Sequence, residues 1–169
     1  PYTVKEIGEM CVEFYKNKKI ATVIKHIPGH GLAKSDSHHK TPIVTTSKKE
    51  LNKKTFFPFK KSKSLFAMTA HVIYSHYDNK NTATHSKHII RKIIRKKINF
   101  KGLIISDDIS MKALRYKLEE NALKALIAGC NLVLHCNGKI NEMFKLCKII
   151  PNIDNFTQKK TSHFYKFLI

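Results

Sequence analysis

Four short apolar runs divide this chain, and polar or ionisable side chains follow each of them directly. The runs are 21–24, 65–70, 103–105 and 132–134. The stretches before and between them repeat apolar residues at helical spacing. Continuously apolar strands that alternate with helices are typical of a parallel sheet with right-handed crossovers. The sequence therefore predicts an α/β fold, in which one helix precedes four strand–helix units.

The helices are predicted at 4–18, from 46 toward 59, at about 87–98, at 117–128 and at about 140–149. Ser86 stands where a cap for the third helix is needed, and Gly129 follows the fourth helix as a stop signal. From Pro151 onward the chain is polar and then aromatic, and we assign no element there.

Length and composition indicate one domain with its own core, since the 169-residue chain is 42% apolar. Every apolar run is far shorter than the roughly 20 residues that span a bilayer, and the first residues lack the apolar segment of a signal peptide. The cysteines form no Cys-x-x-Cys pair, so we expect free, buried thiols in a reducing compartment. We therefore expect a cytoplasmic protein with no membrane association. The cysteines are Cys11, Cys130, Cys136 and Cys147.

The formal net charge of +20 raises the alternative of a basic nucleic-acid-binding protein. Only three of the 32 basic residues are arginine, however, although arginine is favoured for bidentate contacts to bases and phosphates. The lysines are spread along the whole chain. We therefore expect weak, salt-sensitive binding to polyanions and no specific nucleic-acid partner. The arginines are Arg91, Arg95 and Arg115.

Chemistry in parallel α/β folds collects at the carboxyl ends of the strands, where these polar residues stand. The four runs lead in turn to Lys25 and His26, to His71, to Asp107 and Asp108, and to His135 and Asn137. This agreement between topology and chemistry predicts a site at that edge of the sheet.

The loop after the first run carries the densest group of ionisable residues. Lys25-His26-Ile27-Pro28-Gly29-His30-Gly31 is followed by Asp36-Ser37-His38-His39. A carboxylate two residues from an imidazole fixes its tautomer and stabilises its charged form, which suits Asp36 and His38 to proton transfer near neutral pH. The alternative of a metal site formed by His30, His38, His39 and Asp36 is disfavoured, because the spacing is irregular and no cysteine joins them. We predict neither a metal nor another cofactor.

Asp107 and Asp108 allow two interpretations. A carboxylate at a strand tip can act as a nucleophile or stabilise a cation, and an aspartate before a helix can equally cap it. We expect both, with Asp107 facing the site and Asp108 or Ser110 serving the following turn. Lys25 and His26 likewise suit the binding of hydroxyls or an anion, or are a solvated lysine and a satisfied histidine.

Several motifs in this order resemble those of the bacterial β-N-acetylhexosaminidases of glycoside hydrolase family 3. The resemblance covers about residues 15–150. The motifs are 25–31, 36–39 with Pro42, Ala67-Met68-Thr69-Ala70-His71-Val72, Gly102-Leu103-Ile104-Ile105-Ser106-Asp107-Asp108-Ile109-Ser110-Met111 and Ala128-Gly129-Cys130-Asn131-Leu132-Val133-Leu134.

The resemblance implies a retaining glycosidase that removes N-acetylglucosamine from muropeptides during cell-wall recycling. Asp107 would be the nucleophile, and His38 the proton donor and then the base that activates water. Asp36 would orient His38, while Lys25 and His26 would hold sugar hydroxyls. Residues 1–150 would be a partial (β/α)₈ barrel, about its second half, and 151–169 a tail to which no structure is assigned.

The family's barrel has eight strands, whereas this sequence offers four. By the resemblance, the first half would carry further sugar-binding aspartate and arginine residues, and none of the three arginines here stands at a matching position. We therefore expect an inactive or weakly active fragment. The alternative is a non-catalytic or complementing half-barrel subunit, whose partner would be a separately encoded amino-terminal half barrel.

Overall fold

The computed structural model describes residues 1–37 and 39–168, with Leu168 described in its backbone alone. Among these residues, six strands form two parallel sheets. A four-stranded sheet has the order β1 (Val23–Ile27), β3 (Phe66–Thr69), β5 (Leu103–Asp108) and β6 (Leu132–Leu134), which is also their order along the chain. The short strands β2 (Ile43–Val44) and β4 (Ile73–Tyr74) pair with each other. The predicted parallel α/β architecture with four main strands is confirmed.

In these described ranges, five α-helices and three tighter or wider helical segments precede, separate or follow the strands. The α-helices are α1 (Tyr2–Asn17), α2 (Lys48–Glu50), α3 (Leu118–Ala128), α4 (Ile140–Ile149) and α5 (Asn155–Leu168). Two π-helices cover Leu51–Thr55 and Ile89–Lys97, and a 3₁₀-helix covers Phe57–Phe59. The Ser86 hydroxyl accepts from the Ile89 N–H at 3.2 Å, and Gly129 ends α3 with a φ of 120°.

Two strands extend further than their apolar residues indicate. The predicted strand 21–24 lies instead at Val23–Ile27, so Lys25 and His26 are within β1 and not beyond it. Backbone pairing of Lys25 with Met68 and of Ile27 with Thr69 overrides the polarity of the side chains. β5 similarly continues to Asp108, which pairs with Leu134 of β6.

The main core lies between the four-stranded sheet and the π-helix Ile89–Lys97. Isoleucines of this helix and apolar residues of the strands are almost completely buried there, among them Ile90, Ile94, Ala67 and Ile104. A second, smaller cluster forms where α3 and α4 meet the turn after β5. Both clusters pack next to the strands and turns that carry the polar residues, and they support the carboxyl edge of the sheet.

The segment for which the sequence assigned no element contains α5. Its Phe164 ring packs edge-on against Phe66 with 5.2 Å between the centroids, and the Thr157 hydroxyl accepts from the Asn131 side-chain amide at 3.0 Å. α5 therefore lies at the amino end of β3, opposite the edge where the polar residues collect.

Some apolar surface is left open. Val4, Ile7, Met10 and Phe14 on α1 are all more than half exposed, and Val23 on β1 is 43% exposed. Within the described residues, β1 and β6 each pair with one other strand. All four cysteines are free, but only Cys130 is buried, which corrects the expectation that the thiols are buried. Across the described ranges, no helix is both long and apolar enough to cross a bilayer.

Candidate active site

The carboxyl ends of β1 and β5 bring His26 and Asp107 together, although β3 lies between these strands. The His26 Nε2 atom is 3.5 Å from an Asp107 carboxylate oxygen, Oδ2. The His26 side chain is 30% exposed and that of Asp107 is 16% exposed, so both can be reached from solvent. Lys25, the neighbour of His26 on β1, is exposed.

The end of β1 is shaped by its backbone. The Lys25–His26 and Ile27–Pro28 peptide bonds are both cis, and the pairing with β3 shifts between Lys25 and Ile27. The Tyr74 hydroxyl donates to the Gly29 carbonyl oxygen, which ties the turn to β4. Gly29 has a φ of 137°, and a Cβ there would lie 2.5 Å from the Thr55 carbonyl oxygen. The turn therefore needs glycine at this position.

Hydrogen bonds to its own turn orient the Asp107 carboxylate. Its Oδ1 atom accepts from the Asp108 N–H at 2.9 Å, which leaves Oδ2 toward His26. The Asp108 carboxylate instead accepts from the Ser110 N–H at 3.0 Å, the Ser110 hydroxyl at 2.7 Å and the Cys136 N–H at 3.2 Å. Asp108 and Ser110 thus serve the turn after β5, as expected from the sequence.

Burial lowers the pKa of His26, and the nearby Asp107 carboxylate opposes that shift without reversing it. Lys25, His30 and His71 add smaller effects that lower this pKa further. The imidazole of His26 is therefore neutral near pH 7, where it can both donate and accept hydrogen bonds to hydroxyl groups.

Asp36, one member of the predicted pair Asp36 and His38, is exposed and lies on a turn. The Asp36 backbone carbonyl oxygen accepts from the N–H groups of His39 and Lys40, both at 3.3 Å. Near this turn, the Thr41 hydroxyl donates to the Ala113 carbonyl oxygen at 2.6 Å, which attaches this loop to the one after β5. His38 lies outside the described residues, so its pairing with Asp36 stays a prediction.

The histidines that follow β3 and β6 have other surroundings. His71 is completely buried and bonds to the Asp108 carbonyl oxygen and to Thr84. His135 lies 2.8 Å from the Glu142 carboxylate, and its side chain is only 7% exposed. Neither ring is presented to solvent beside Asp107. Thr84 and Glu142 are partners that the sequence analysis missed, since no spacing pattern links a residue to a histidine on another segment.

No group of three or more His, Cys, Asp or Glu side chains is arranged to hold a metal ion in the ranges 1–37 and 39–168.

Comparison with known proteins identifies the family of this chain. Residues 1–162 match the sequence profile of the glycosyl hydrolase family 3 N-terminal domain. A β-hexosaminidase of Haemophilus influenzae is 42% identical over 149 residues, which are 83% of this chain and 42% of that protein. One from Actinobacillus pleuropneumoniae is 36% identical over 143 residues, or 81% of this chain and 41% of that protein.

Solved structures show the same fold. The β-N-acetylglucosaminidase from Thermotoga maritima aligns with a TM-score of 0.78 and 31% identity, over 99% of this chain and 39% of its own. NagZ from Neisseria gonorrhoeae, in complex with N-trifluoroacetyl-D-glucosamine, aligns with a TM-score of 0.73 and 28% identity over 85% of this chain and 42% of its own. The sheet is thus part of a barrel domain, and this chain spans about two fifths of the length of the curated relatives. The chain therefore belongs to the family of glycosyl hydrolase family 3 N-terminal domains.

Proposed function

We propose that this chain is part of a retaining β-N-acetylglucosaminidase whose nucleophile is Asp107. The observation that carries the proposal is the approach of His26 to 3.5 Å from the Asp107 carboxylate, at the carboxyl edge of a parallel sheet. One oxygen of this partly exposed carboxylate is held by the Asp108 N–H and the other faces the site beside His26, which suits a nucleophile in a covalent glycosidase mechanism.

The reaction would proceed in two displacements. In the first, an Asp107 carboxylate oxygen attacks the anomeric carbon and the glycosidic C–O bond breaks, while His38 gives its proton to the leaving oxygen. In the second, His38 takes a proton from water, and the resulting hydroxide displaces Asp107 from the same carbon. Asp36 would orient His38 and stabilise its protonated form.

Lys25 and His26 would hold the hydroxyl groups of the sugar. Both stand on β1 beside the carboxylate, Lys25 exposed and His26 half-buried. A neutral His26 ring can donate to one hydroxyl and accept from another, whereas the ammonium of Lys25 can only donate. This difference would fix the orientation of the sugar ring over Asp107.

The substrate we propose is N-acetylglucosamine linked in muropeptides, in a cell-wall recycling reaction in the cytoplasm. The support comes from relatives that are β-hexosaminidases and from one solved structure that is in complex with N-trifluoroacetyl-D-glucosamine. The four free cysteines are consistent with a reducing compartment.

A second candidate is a half-barrel subunit that is completed by a separately encoded amino-terminal half. The observation in its favour is the apolar face of α1, where Ile7 is 56% exposed, Met10 70% and Phe14 61%. An uncovered face of this kind is typical of a protein–protein contact. The lone chain would then have little activity, and activity would need both halves.

Turnover of an aryl N-acetylglucosaminide by the chain tests the first proposal. An N-acetylglucosaminyl fluoride with a further fluorine on the ring would slow the second displacement, and intact mass would report the adduct. Because the lone chain is expected to be at most weakly active, we expect little turnover and a single sugar adduct that forms slowly on the wild-type chain, with none on Asp107→Asn. An adduct that persists in Asp107→Asn would refute the assignment. Light scattering of the chain alone and with an amino-terminal half barrel tests the second candidate, since a complex supports it and two separate monomers contradict it.

A further inference from the structure

His71 lies directly behind the turn that carries Asp107. Its ring makes two hydrogen bonds, with Nε2 at 3.0 Å from the Asp108 carbonyl oxygen and Nδ1 at 2.7 Å from the Thr84 hydroxyl. The residue has no exposed surface, so it cannot touch a substrate. Its direct contact with the site is the hydrogen bond to the backbone of Asp108.

The two contacts define which tautomer is present. A carbonyl oxygen only accepts, so the Nε2 atom must carry the hydrogen, because a bare nitrogen would face that oxygen with its lone pair. Burial lowers the pKa of His71 and keeps the ring neutral, so Nδ1 is left as an acceptor. The Thr84 hydroxyl then donates to Nδ1 at 2.7 Å in preference to the Ala70 carbonyl oxygen, which is farther away at 3.3 Å, and the Thr69 hydroxyl, 2.8 Å from that of Thr84, can donate in turn.

The Asp108 residue connects this buried chain of hydrogen bonds to the nucleophile. His71 holds its carbonyl group, while its N–H group donates to Oδ1 of Asp107 at 2.9 Å. A rotation of the Asp108 backbone would therefore turn the Asp107 carboxylate. The threonine pair, the histidine and the turn form one connected line from β3 to the site.

We propose that His71, bound by Thr84, is a positioning residue that fixes the Asp108 backbone and thereby the direction of the Asp107 carboxylate. The inference rests on the proposed role of Asp107 as the nucleophile. It predicts that loss of the Thr84 hydroxyl changes the direction of the Asp107 carboxylate, although Thr84 itself is completely buried.

The matched variants are Thr84→Val, Thr84→Ser and Thr82→Val. Thr84→Val keeps the size of the side chain and removes the donor to His71, and Thr84→Ser restores a hydroxyl. Thr82 is also buried, but its hydroxyl has no hydrogen-bond partner among the described residues, so Thr82→Val controls for the loss of a buried hydroxyl alone.

Nuclear magnetic resonance of the isolated chain gives a readout that needs no turnover. Imidazole nitrogen shifts of the wild-type chain should report the Nε2–H tautomer of His71. The carboxyl-carbon signal of Asp107, assigned by its loss in Asp107→Asn, should move in Thr84→Val and stay in place in Thr84→Ser and Thr82→Val. A wild-type Nδ1–H tautomer, or an unmoved Asp107 signal in Thr84→Val, would overturn the proposal.

Kinetics separate this positioning role from a merely structural one. In a preparation that turns over an aryl N-acetylglucosaminide, Thr84→Val should lower kcat on the order of tenfold with KM unchanged, since a displaced nucleophile affects the transition state. A rise in KM with kcat unchanged would contradict this. Absence of turnover by the lone chain would agree with the weak activity expected of a fragment, and the resonance experiment, which needs no turnover, would then decide the role of His71.

Discussion

Arg95 donates to the side-chain carbonyl oxygen of Asn131 at 2.8 Å, and this contact joins the π-helix Ile89–Lys97 to the start of β6. The same guanidinium donates to the carbonyl oxygens of Gly102 at 2.6 Å and of Phe100 at 3.2 Å. The Asn131 oxygen also accepts from the Ile104 N–H at 2.9 Å. One arginine therefore fixes the entry to both β5 and β6.

Replacement of Arg95 by leucine should destabilise the chain strongly. Three acceptors would lose a charged donor in a half-buried place, which costs roughly 2 to 4 kcal/mol. Urea unfolding should show a lower midpoint with an unchanged slope. The matched control is Arg91→Leu on the exposed side of the same helix, where a change within about 0.5 kcal/mol is expected. Equal effects of the two substitutions would contradict the role of Arg95.

Gly29→Ala should displace the turn after β1. The φ of 137° is unfavourable for any other residue, and the new Cβ would meet the Thr55 backbone at 2.5 Å, so we expect a loss of about 2 kcal/mol or more. Thermal unfolding measures the effect. Gly8→Ala is the control, because nothing lies within 4 Å of a Cβ there and α1 should gain roughly 0.5 to 1 kcal/mol.

Substitution of the two neighbouring aspartates should have different effects, on activity for Asp107 and on stability for Asp108. Asp108→Asn removes the charge and replaces one carboxylate oxygen by an NH₂ group, so the Ser110 and Cys136 donors lose a charged acceptor and we expect a loss of about 1 to 3 kcal/mol of unfolding free energy. Asp107→Asn should leave the unfolding temperature nearly unchanged and abolish formation of the sugar adduct. The assignment fails if Asp108→Asn is neutral in an unfolding experiment while Asp107→Asn destabilises the fold.

Stability should fall as pH decreases from about 6.5 toward 4. Burial lowers the pKa of His85 to about 4, and burial also lowers that of His26 and of His71. In this window the unfolded chain binds protons that the folded chain excludes, so acid favours unfolding. Through His85 alone, the free energy of unfolding should be roughly 2 to 3 kcal/mol higher above pH 6.5 than below pH 4.

Unfolding of His85→Gln at several pH values checks this dependence. The variant should lose part of the slope between pH 6.5 and 4, whereas His76→Gln, a substitution at an exposed site, should keep the slope of the wild type. An identical slope in wild type and His85→Gln would show that His85 takes up its proton in the folded state as well.

Sequence reasoning succeeded where the side-chain pattern alone decides structure. The bounds of β6 and α4 match the predicted ranges because apolar residues mark them clearly, and Gly129 ends α3 where the sequence predicted a stop. It placed the ends of β1 and β5 too early, since the pairing of polar residues such as Lys25 and Asp108 depends on neighbouring strands. The π-helical form of Ile89–Lys97 also escaped it, because the same apolar face suits an α-helix.

For the site, topology alone predicted that the polar residues after the strands meet at one edge of the sheet, and His26 and Asp107 lie 3.5 Å apart there. The sequence could not distinguish an open ring such as His26 from a buried one such as His71, because burial depends on the layers above it. The pairing of Asp36 with His38 remains a prediction.

The position of α5 has a consequence for the order of folding. Its Phe164 contacts Phe66, which is much earlier in the chain, and its Thr157 contacts Asn131, just before β6. Each strand–helix unit can form from local contacts, but α5 can dock only after β3 and β6 lie side by side with β5. Contacts between residues that are distant in sequence form late, because bringing them together costs chain entropy. The sheet should therefore assemble first, and the docking of α5 should be the late, cooperative step that completes the fold.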